Sequence, residues 1–384
     1  MNIQDTIEHA LASAGLNTQS GPLRGVTETI RKALTTAGLG RMQRATTPIP
    51  KAQRPPTGVQ ARATTEASKS AATLADGSEA VPGQFLLRSH SASAGTRSYR
   101  LYVPARPAGQ SAGRADKPMP LVLMLHGCTQ SAEDFAAGTQ MNRLADEQGF
   151  LVAYPEQDTD ANPSRCWNWF RSDDQQRGSG EPSLLAGIVM AVSQECAVDT
   201  RRVYVAGLSA GAAMAVVLGE TYPDVFAAVG AHSGLPYAAA HDIPSAMAAM
   251  KGRSFMMGMP HFPGTADDPR RPSTHAVPVI VFHGDRDHTV QHSNGETIVQ
   301  RACEAYAHLP KAAHLVSSHE EGEQSGRRYT RNVHSDAHGT PRVEQWTLHG
   351  AGHTWSGGNP KGSYTDSGGP DASAEMLRFF LAQA

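Results

Sequence analysis

The chain has 384 residues, of which 39% are hydrophobic and 18% charged, values typical of a globular protein with one large domain or two smaller ones. Its 34 basic and 36 acidic residues give a formal net charge of -2, so no basic surplus is available to hold a nucleic acid backbone. No apolar run approaches the roughly 20 residues of a membrane-spanning helix, so we expect neither a membrane span nor a nucleic-acid partner.

The first 80 residues differ in composition from the remainder of the chain. Residues 1–16 have an amphipathic helical pattern but lack the basic and continuous apolar segments of a secretory signal, so we expect a cytoplasmic location unless export follows another route. Residues 17–80 are rich in Thr, Ala, Ser, Pro, Gln and Arg and poor in large apolar side chains, which predicts a largely disordered linker. We therefore expect one folded domain over residues 81–384.

From residue 82 onward, short apolar runs alternate with helical patterns. The runs at 85–89 and 97–103 are rich in β-forming residues and predict an opening hairpin. The later elements, in chain order, are expected as a strand at 121–125, a helix at 133–147, a strand at 150–154, a helix at 183–196, a strand at 203–206, a helix at 212–218, strands at 226–231, 278–283 and 343–348, and a helix at 372–381. This alternation predicts an α/β fold in which helices cover both faces of an open, mostly parallel sheet. Residues 235–276, which contain five methionines, fall where a small cap or lid insertion is expected.

A serine lies at the turn between the predicted strand at 203–206 and the helix that follows it. The local sequence is GLSAG at 207–211, in which the glycines permit a sharp turn where the strand and helix backbones approach closely. Such a turn lifts the serine hydroxyl clear of the sheet and directs the amides of the helix N-terminus towards it. The motif predicts a nucleophile elbow with Ser209 as the nucleophile.

A serine nucleophile needs a histidine to take its proton and a carboxylate to orient that histidine. The sequence HGDRDHTV at 283–290 follows the strand at 278–283 and supplies the carboxylate. The interval between its glycine and its second aspartate is typical of α/β-hydrolases, so Asp287 is predicted as the acid. Asp285, which lies two residues nearer the strand, is the rival.

The candidate base is His353, in the sequence LHGAGHTW at 348–355. Small residues before it would let the loop pass over the sheet edge, and it completes the chain order Ser, Asp, His that is expected of α/β-hydrolases. The rivals are His349, His338 and His334. The chain contains 17 histidines, so position rather than residue type favours His353.

An oxyanion hole is also required, because the tetrahedral intermediate of acyl transfer carries a negative charge. One donor is expected to be the backbone N–H of Ala210, and the other that of Cys128 in the loop after the strand at 121–125, with Thr129 as the alternative. Cys128 is also a candidate half of a disulfide. The four cysteines, Cys128, Cys166, Cys196 and Cys303, leave any pairing open.

Four residues that follow predicted strands are candidate walls of a substrate pocket: Trp167, Trp355, His232 and Tyr237. No cofactor is expected. A metal site formed by Asp285, Asp287, His288 and His292 is an alternative interpretation of the acidic loop, since imidazoles and carboxylates are suitable ligands.

Taken together, these motifs resemble the polyhydroxybutyrate depolymerase family of esterases. The resemblance covers about residue 83 to the C-terminus and is carried by GLSAG at 207–211, HGC at 126–128, CWNW at 166–169, AHSGLPY at 231–237 and GHTW at 352–355.

This resemblance implies an α/β-hydrolase fold and a serine carboxylic-ester hydrolase with Ser209, Asp287 and His353 as its triad and Cys128 at the oxyanion loop. The expected substrates are polyhydroxybutyrate-type polyester, hydroxyalkanoate oligomers or related short-chain esters. Feruloyl and acetylxylan esterases are relatives of this family and form the alternative. A catalytically silent binding protein of the same fold is the third interpretation.

Overall fold

A ten-stranded sheet is the centre of the computed structural model, which describes residues 82–105, 118–253, 276–309 and 314–383. The predicted N-terminal helix and linker, at 1–80, lie outside these residues. Residues 254–275, which make up about half of the expected cap insertion at 235–276, also lie outside the described residues.

The strands, numbered in chain order, are β1 (Gln84–Ala92), β2 (Gly95–Val103), β3 (Met119–Leu125), β4 (Leu151–Pro155), β5 (Val198–Leu208), β6 (Ala228–His232), β7 (Val279–Gly284), β8 (Val316–Gln324), β9 (Arg327–Ser335), β10 (Pro341–Leu348), β11 (Trp355–Ser356) and β12 (Thr365–Asp366). The helices are α1 (Ala132–Thr139), α2 (Met141–Gln148), α3 (Gly180–Glu195), α4 (Ala210–Thr221), α5 (Ile243–Met250), α6 (Ser293–Ala307) and α7 (Ala372–Leu381). A short 3-10 helix spans Ser172–Gln175.

The strand order across the main sheet is β1-β2-β4-β3-β5-β6-β7-β10-β9-β8. Pairing is parallel from β4 to β10 and antiparallel at both margins, where β1 and β2 form one hairpin and β8 and β9 form another. The predicted opening hairpin and the mostly parallel sheet are therefore confirmed.

Helices cover both faces of the sheet, as the alternation of elements predicts. One core layer packs α3, α4 and α6 against one face through residues such as Leu185, Met214 and Ile298. The other packs α1, α2 and α7 against the opposite face, with Phe135 and Phe380 among its buried side chains. The central strands β3 to β7 are buried on both faces, which explains why they appear in the sequence as continuous apolar runs.

Several features of the fold differ from the sequence prediction, among them α6, for which no helix was predicted. The helix predicted at 133–147 is divided into α1 and α2, because Gln140 adopts a left-handed conformation with φ of 54° and closes α1 by donating its N–H to the Ala136 carbonyl. The β8–β9 hairpin was not predicted. Its first strand, VSSHEEGEQ, is exposed on nearly every residue and so lacks the apolar alternation that indicates a strand.

The described part of the expected insertion contains α5, which begins with a capping box formed by Asp242 and Ser245. Among the residues for which the structure gives positions, no helix combines the length and the hydropathy of a membrane span.

The register of the parallel strands brings four loops to one edge. Leu208 pairs with His232, His232 with Phe282, and Leu348 with Gly284. Because these are the carboxyl ends of β5, β6, β7 and β10, the segments that leave them lie side by side, which is where open α/β sheets bind ligands.

Candidate active site

Ser209 occupies a strained turn between β5 and α4. Its φ of 58° and ψ of -119° lie outside the regions that residues with side chains usually adopt. Its backbone N–H donates to the His232 carbonyl at 2.9 Å, and its own carbonyl accepts from the Ala213 N–H at 2.9 Å. The turn is therefore fixed on one side by the neighbouring strand and on the other by the first turn of the helix.

The glycines on either side of Ser209 are required by close backbone contacts. A Cβ on Gly207 would lie 2.4 Å from the carbonyl carbon of Gly211, and one on Gly211 would lie 2.1 Å from the Leu125 carbonyl oxygen. No side chain fits at either position unless the backbones move apart.

Asp287 and His353 form a short hydrogen bond at the same sheet edge. His353 Nδ1 lies 2.6 Å from Asp287 Oδ2, and the carboxylate is fully buried whereas the imidazole is 11% exposed. The other carboxylate oxygen accepts the backbone N–H groups of Thr289 and Val290, both at 2.9 Å. The acid is thus held by its own loop and directed at the histidine.

Burial alone would raise the pKa of Asp287, but hydrogen bonds from His283 and His353 outweigh burial and hold that pKa far below its usual range. Asp287 is consequently an anion at neutral pH. An anion at this place favours the tautomer of His353 that carries its proton on Nδ1, which leaves Nε2 able to accept one.

The structure separates the rival acid and bases from this pair. Asp285 and His349 bind each other, with Oδ2 and Nδ1 3.0 Å apart. His334 pairs in register with Val343 near the start of β10, so it lies at the opposite edge of the sheet. His338 lies in the β9–β10 turn at that same edge, where its N–H donates to Asp336.

The proposed metal ligands are engaged elsewhere. Asp285 binds His349, and Asp287 binds His353. His292 Nδ1 lies 3.4 Å from Glu296 Oε1. Over the described ranges, no group of three or more His, Cys, Asp or Glu side chains is arranged to hold a metal ion.

The two amides expected at the oxyanion hole lie at the ends of β3 and β5. Ala210 is the first residue of α4, and Cys128 lies in the loop that leaves β3. The N–H of Thr129, the alternative donor, is engaged by the Ser164 carbonyl at 2.8 Å. For Ala210 and Cys128, no hydrogen bond from the backbone N–H to another described residue is found.

A disulfide connects Cys128 to Cys166, whereas Cys196 and Cys303 are free. It joins the loop after β3 to the segment that carries Trp167. Composition alone left this pairing open, because it depends on which loops the sheet brings together.

His126 and His232 stabilise the edge without facing solvent. His126 is fully buried, its Nδ1 lies 2.7 Å from the Gly127 carbonyl, and its Nε2 accepts the Gln157 N–H at 3.0 Å. His232 is also fully buried and accepts the Ser356 N–H at 3.1 Å. Burial lowers the pKa of His126 to about 4 and that of His232 to about 3, so both are neutral and connect neighbouring loops.

Three of the four expected pocket walls, Trp167, Trp355 and His232, are buried in the structure. Trp167 is fully buried and donates its indole N–H to the His126 carbonyl at 3.1 Å, while Trp355 is 1% exposed and donates to Ser373 Oγ at 3.1 Å. His232 stacks on Trp355 with ring centroids 5.2 Å apart. These three side chains are packed behind the loops, because large rings at strand ends bury more area in the core than at the surface.

Tyr237 is also placed away from the predicted wall. Its hydroxyl donates to the Gln175 carbonyl at 2.9 Å. The same side chain lines a cavity with Val229 and Val279, which lie near the amino ends of β6 and β7 and therefore at the opposite end of those strands from Ser209.

Two residues that sequence reasoning missed contribute to this edge. Glu181 is buried and accepts the backbone N–H of Asn168 at 2.7 Å and its side-chain amide at 2.8 Å, which holds the segment after Cys166. Burial raises the pKa of Glu181 to about 6. Its sequence position, in the first turn of α3, resembles that of any helix-start glutamate, so no signal distinguished it.

Tyr364 is the other missed residue. Its side chain is 46% exposed, its hydroxyl lies 3.3 Å from Thr129 Oγ1, and its backbone is left-handed with φ of 53°. The exposed ring of Tyr364 therefore lies beside the loop that carries Cys128. The serine, threonine and glycine residues around it have no periodic pattern that would have indicated this.

Residues 97–309 match the protein family described as "Esterase PHB depolymerase". Poly(3-hydroxyalkanoate) depolymerase C of Paucimonas lemoignei is 34% identical over 241 residues, which are 61% of this chain and 54% of that protein. Feruloyl esterase B of Neurospora crassa is 36% identical over 152 residues, which are 39% of this chain and 50% of that protein. The chain spans about half the length of these curated relatives.

Among solved structures, the acetyl xylan esterase from Aspergillus awamori has a TM-score of 0.51 and 17% sequence identity, and the match covers 77% of this chain and 99% of that chain. At this identity the likeness concerns the fold alone. Together with the parallel sheet and its two helical layers, it confirms the predicted α/β-hydrolase architecture.

Proposed function

Because the chain belongs to the Esterase PHB depolymerase family, we propose that it is a serine carboxylic-ester hydrolase with Ser209, His353 and Asp287 as its catalytic residues. The observation that carries the proposal is the 2.6 Å hydrogen bond between His353 and the buried Asp287, at the edge where Ser209 stands in its strained turn. Acyl transfer requires a carboxylate held as an anion, a histidine with one ring nitrogen able to accept a proton, and a serine whose hydroxyl stands clear of the sheet.

In the proposed reaction, Ser209 Oγ attacks the ester carbonyl carbon while His353 Nε2 takes the hydroxyl proton. The resulting oxyanion accepts hydrogen bonds from the backbone N–H groups of Ala210 and Cys128. His353 then gives its proton to the leaving alkoxide, and the acyl group remains on Ser209. A water molecule then attacks the acyl carbonyl carbon while His353 takes its proton. As the resulting tetrahedral intermediate collapses, the bond to Ser209 Oγ breaks, His353 returns the proton to that oxygen, and the acid is released.

For the substrate, we propose hydroxyalkanoate polyester, its oligomers or related short-chain esters. Support comes from the depolymerase relative, which is aligned over more of this chain than the feruloyl esterase is. Feruloyl or acetylated xylan esters are the second candidate, since feruloyl esterase B and the probable acetylxylan esterase A of Aspergillus flavus, 28% identical over 182 residues, also match.

The test is a rate comparison on the purified full chain. The panel consists of p-nitrophenyl acetate and butyrate, a hydroxybutyrate trimer, amorphous polyhydroxybutyrate, methyl ferulate and acetylated xylan. Ser209→Ala is the blank, and all turnover should disappear in it. Preference for the trimer or the amorphous polymer would support the first substrate class, and preference for ferulate or acetylated xylan would support the second.

Labelling by a fluorophosphonate probe distinguishes an enzyme from a silent protein of this fold. Wild type should be labelled at Ser209. Ser233→Ala is the matched control, because Ser233 also has a positive φ, of 53°, at the end of the next strand but is fully buried. Labelling should persist in Ser233→Ala and vanish in Ser209→Ala; an unlabelled wild type without turnover would reject the proposal.

A further inference from the structure

Two loops of the site are joined directly to each other. The acid loop, residues 285–292, leaves β7 and carries Asp287; the base loop, residues 349–354, leaves β10 and carries His353. The Asp285 N–H donates to the Leu348 carbonyl at 3.1 Å, and the Arg286 N–H donates to the Ala351 carbonyl at 3.0 Å. The two backbones are close enough that a Cβ on Gly284 would lie 2.3 Å from the Ala351 carbonyl oxygen.

The Asp285 carboxylate adds a side-chain connection across the same gap. Its Oδ1 accepts the Gly350 N–H at 2.7 Å, and its Oδ2 lies 3.0 Å from His349 Nδ1. Burial alone would raise the pKa of Asp285, but the hydrogen bonds from His349 and Gly350 outweigh burial and lower that pKa instead. One carboxylate of the acid loop thus binds two consecutive residues of the base loop.

The base loop is anchored on its other side to the β8–β9 hairpin. His349 Nε2 lies 2.8 Å from Thr330 Oγ1, and the His349 N–H donates to the Arg328 carbonyl at 3.0 Å. His349 therefore uses both ring nitrogens, one towards β9 and one towards the acid loop. The hydrogen bonds that His349 and Gly350 make to Asp285 and to β9 leave little freedom at the start of the base loop.

This connection contributes little to global stability but can control geometry. The side chains of Asp285 and His349 are both 36% exposed, and pairs at such exposure contribute little to the free energy of unfolding because water screens them. Catalytic groups are sensitive to position, since a misplacement of about 1 Å can cost on the order of 100-fold in rate. Replacement of the residue that fixes His353 relative to Asp287 should thus lower kcat while changing the free energy of unfolding only slightly.

We propose that Asp285 is a positioning residue that holds His353 in register with Asp287 by binding Gly350 and His349. The inference rests on the proposed function, because it assigns Asp285 a role in the same reaction. Asp285 itself does not contact the reacting atoms. It acts through the base loop.

The variants that test this are Asp285→Ala, Asp285→Asn and a matched control, Asp336→Ala. Asp336 organises the turn at the other end of β10 by accepting the N–H groups of His338 and Thr340. Asp285→Ala should lower kcat about tenfold with KM changed less than twofold. Asp285→Asn, which keeps an oxygen for the Gly350 N–H, should recover at least half of the wild-type kcat, and Asp336→Ala should keep the wild-type kcat.

A second readout is the proton nuclear magnetic resonance signal of the hydrogen shared by His353 Nδ1 and Asp287. This signal should be resolved at low field in the wild type and in Asp336→Ala, and broadened or shifted in Asp285→Ala. A kcat of Asp285→Ala within twofold of wild type, or a fall in Asp285→Asn as large as in Asp285→Ala, would overturn the proposal.

The two readouts separate this inference from the proposed function. If the wild type hydrolyses no ester, or if Ser209→Ala retains turnover, the proposed function fails whatever the resonance does. If turnover depends on Ser209 and Asp287 but Asp285→Ala changes neither the resonance nor kcat, only the positioning role fails.

Discussion

His283 Nε2 lies 3.5 Å from Asp287 Oδ2, the same oxygen that accepts the hydrogen bond from His353. Both side chains are fully buried, and His283 Nε2 is also 2.9 Å from the Val290 carbonyl. The acid is therefore contacted on two sides by imidazole rings, of which only that of His353 reaches partial exposure. His283 connects Asp287 to Val290 inside the acid loop, whereas His353 is 11% exposed.

Replacement of His283 tests this support. In His283→Leu, the Val290 carbonyl loses its donor, so we expect the free energy of unfolding to fall by about 1 to 3 kcal/mol. The value of kcat should fall several-fold because Asp287 loses one of its partners. Urea unfolding and steady-state kinetics measure both, and an unchanged kcat would show that His283 acts on stability alone.

Replacement of the acid should have a much larger effect on turnover. In Asp287→Asn the residue can no longer hold the Nδ1 proton of His353, and the opposite tautomer leaves no free nitrogen to accept the proton of Ser209. We expect kcat to fall about 10³- to 10⁴-fold, with circular dichroism showing an intact fold. Asp285→Asn provides the comparison at the neighbouring carboxylate; equal losses in the two variants would contradict the assignment of Asp287.

Gly211, two residues after Ser209, should tolerate no side chain. Gly211→Ala places a Cβ against the Leu125 carbonyl oxygen, so the strand and helix must separate, and we expect a loss of about 3 kcal/mol or more in the free energy of unfolding. Gly352→Ala is the matched control, since a Cβ there would meet no atom within 4 Å. Thermal and urea unfolding of both variants measure the difference, and similar stabilities would show that the elbow can relax.

The buried histidines predict a loss of stability in acid. The pKa of His126 is lowered from 6.5 to about 4 in the folded protein, so between these values the unfolded chain binds a proton that the folded chain does not. The free energy of unfolding should therefore decrease as pH falls from about 6.5 to 4, by about 1.4 kcal/mol per pH unit for each such histidine, and should receive no contribution above 6.5.

Urea unfolding at several pH values measures this slope. His126→Gln should reduce this slope by about 1.4 kcal/mol per pH unit, because it removes one buried histidine. If the dependence of the free energy of unfolding on pH is as steep in His126→Gln as in the wild type, groups other than His126 cause the loss of stability in acid.

Tyr364 is expected to contact the part of the substrate beyond the ester group. Its exposed ring lies beside Thr129, so we expect an extended chain to contact it and a minimal ester to contact it less. Tyr364→Ala should raise KM for the hydroxybutyrate trimer about fivefold and KM for p-nitrophenyl acetate less than twofold. Tyr364→Phe keeps the ring and should behave as wild type; equal effects on both substrates would exclude this contact.

The parts of the site that local sequence determines could be predicted. The turn around Ser209 depends on residues adjacent in the chain, and Asp287 follows its strand at a typical interval, so pattern and order were sufficient to predict the turn and the position of Asp287 at the sheet edge. The buried β3 to β7 strands were found for the same reason, because their apolar runs are continuous.

The remainder depends on contacts between distant segments. The Cys128–Cys166 pair and the Asp285–His349 pair form only when the sheet aligns its loops, and no local pattern encodes either. Trp167 and Trp355 were expected at a pocket because they lie near the edge in sequence, but whether such a ring faces inward depends on the core behind it. The β8 strand was missed because its side chains are polar on both faces.

The Cys128–Cys166 bond has a consequence for handling the protein. It connects one of the two proposed oxyanion donors covalently to a residue 38 positions away. Its reduction would leave only hydrogen bonds between the two segments, such as those from Thr129 to Ser164 and from Trp167 to His126. Dithiothreitol in a purification buffer, or expression in a host with a reducing cytosol, would then alter the catalytic loop without unfolding the domain. The specific activity of a preparation would then depend on its exposure to thiols. Batches of equal purity and equal folded fraction would differ in the rate of ester hydrolysis.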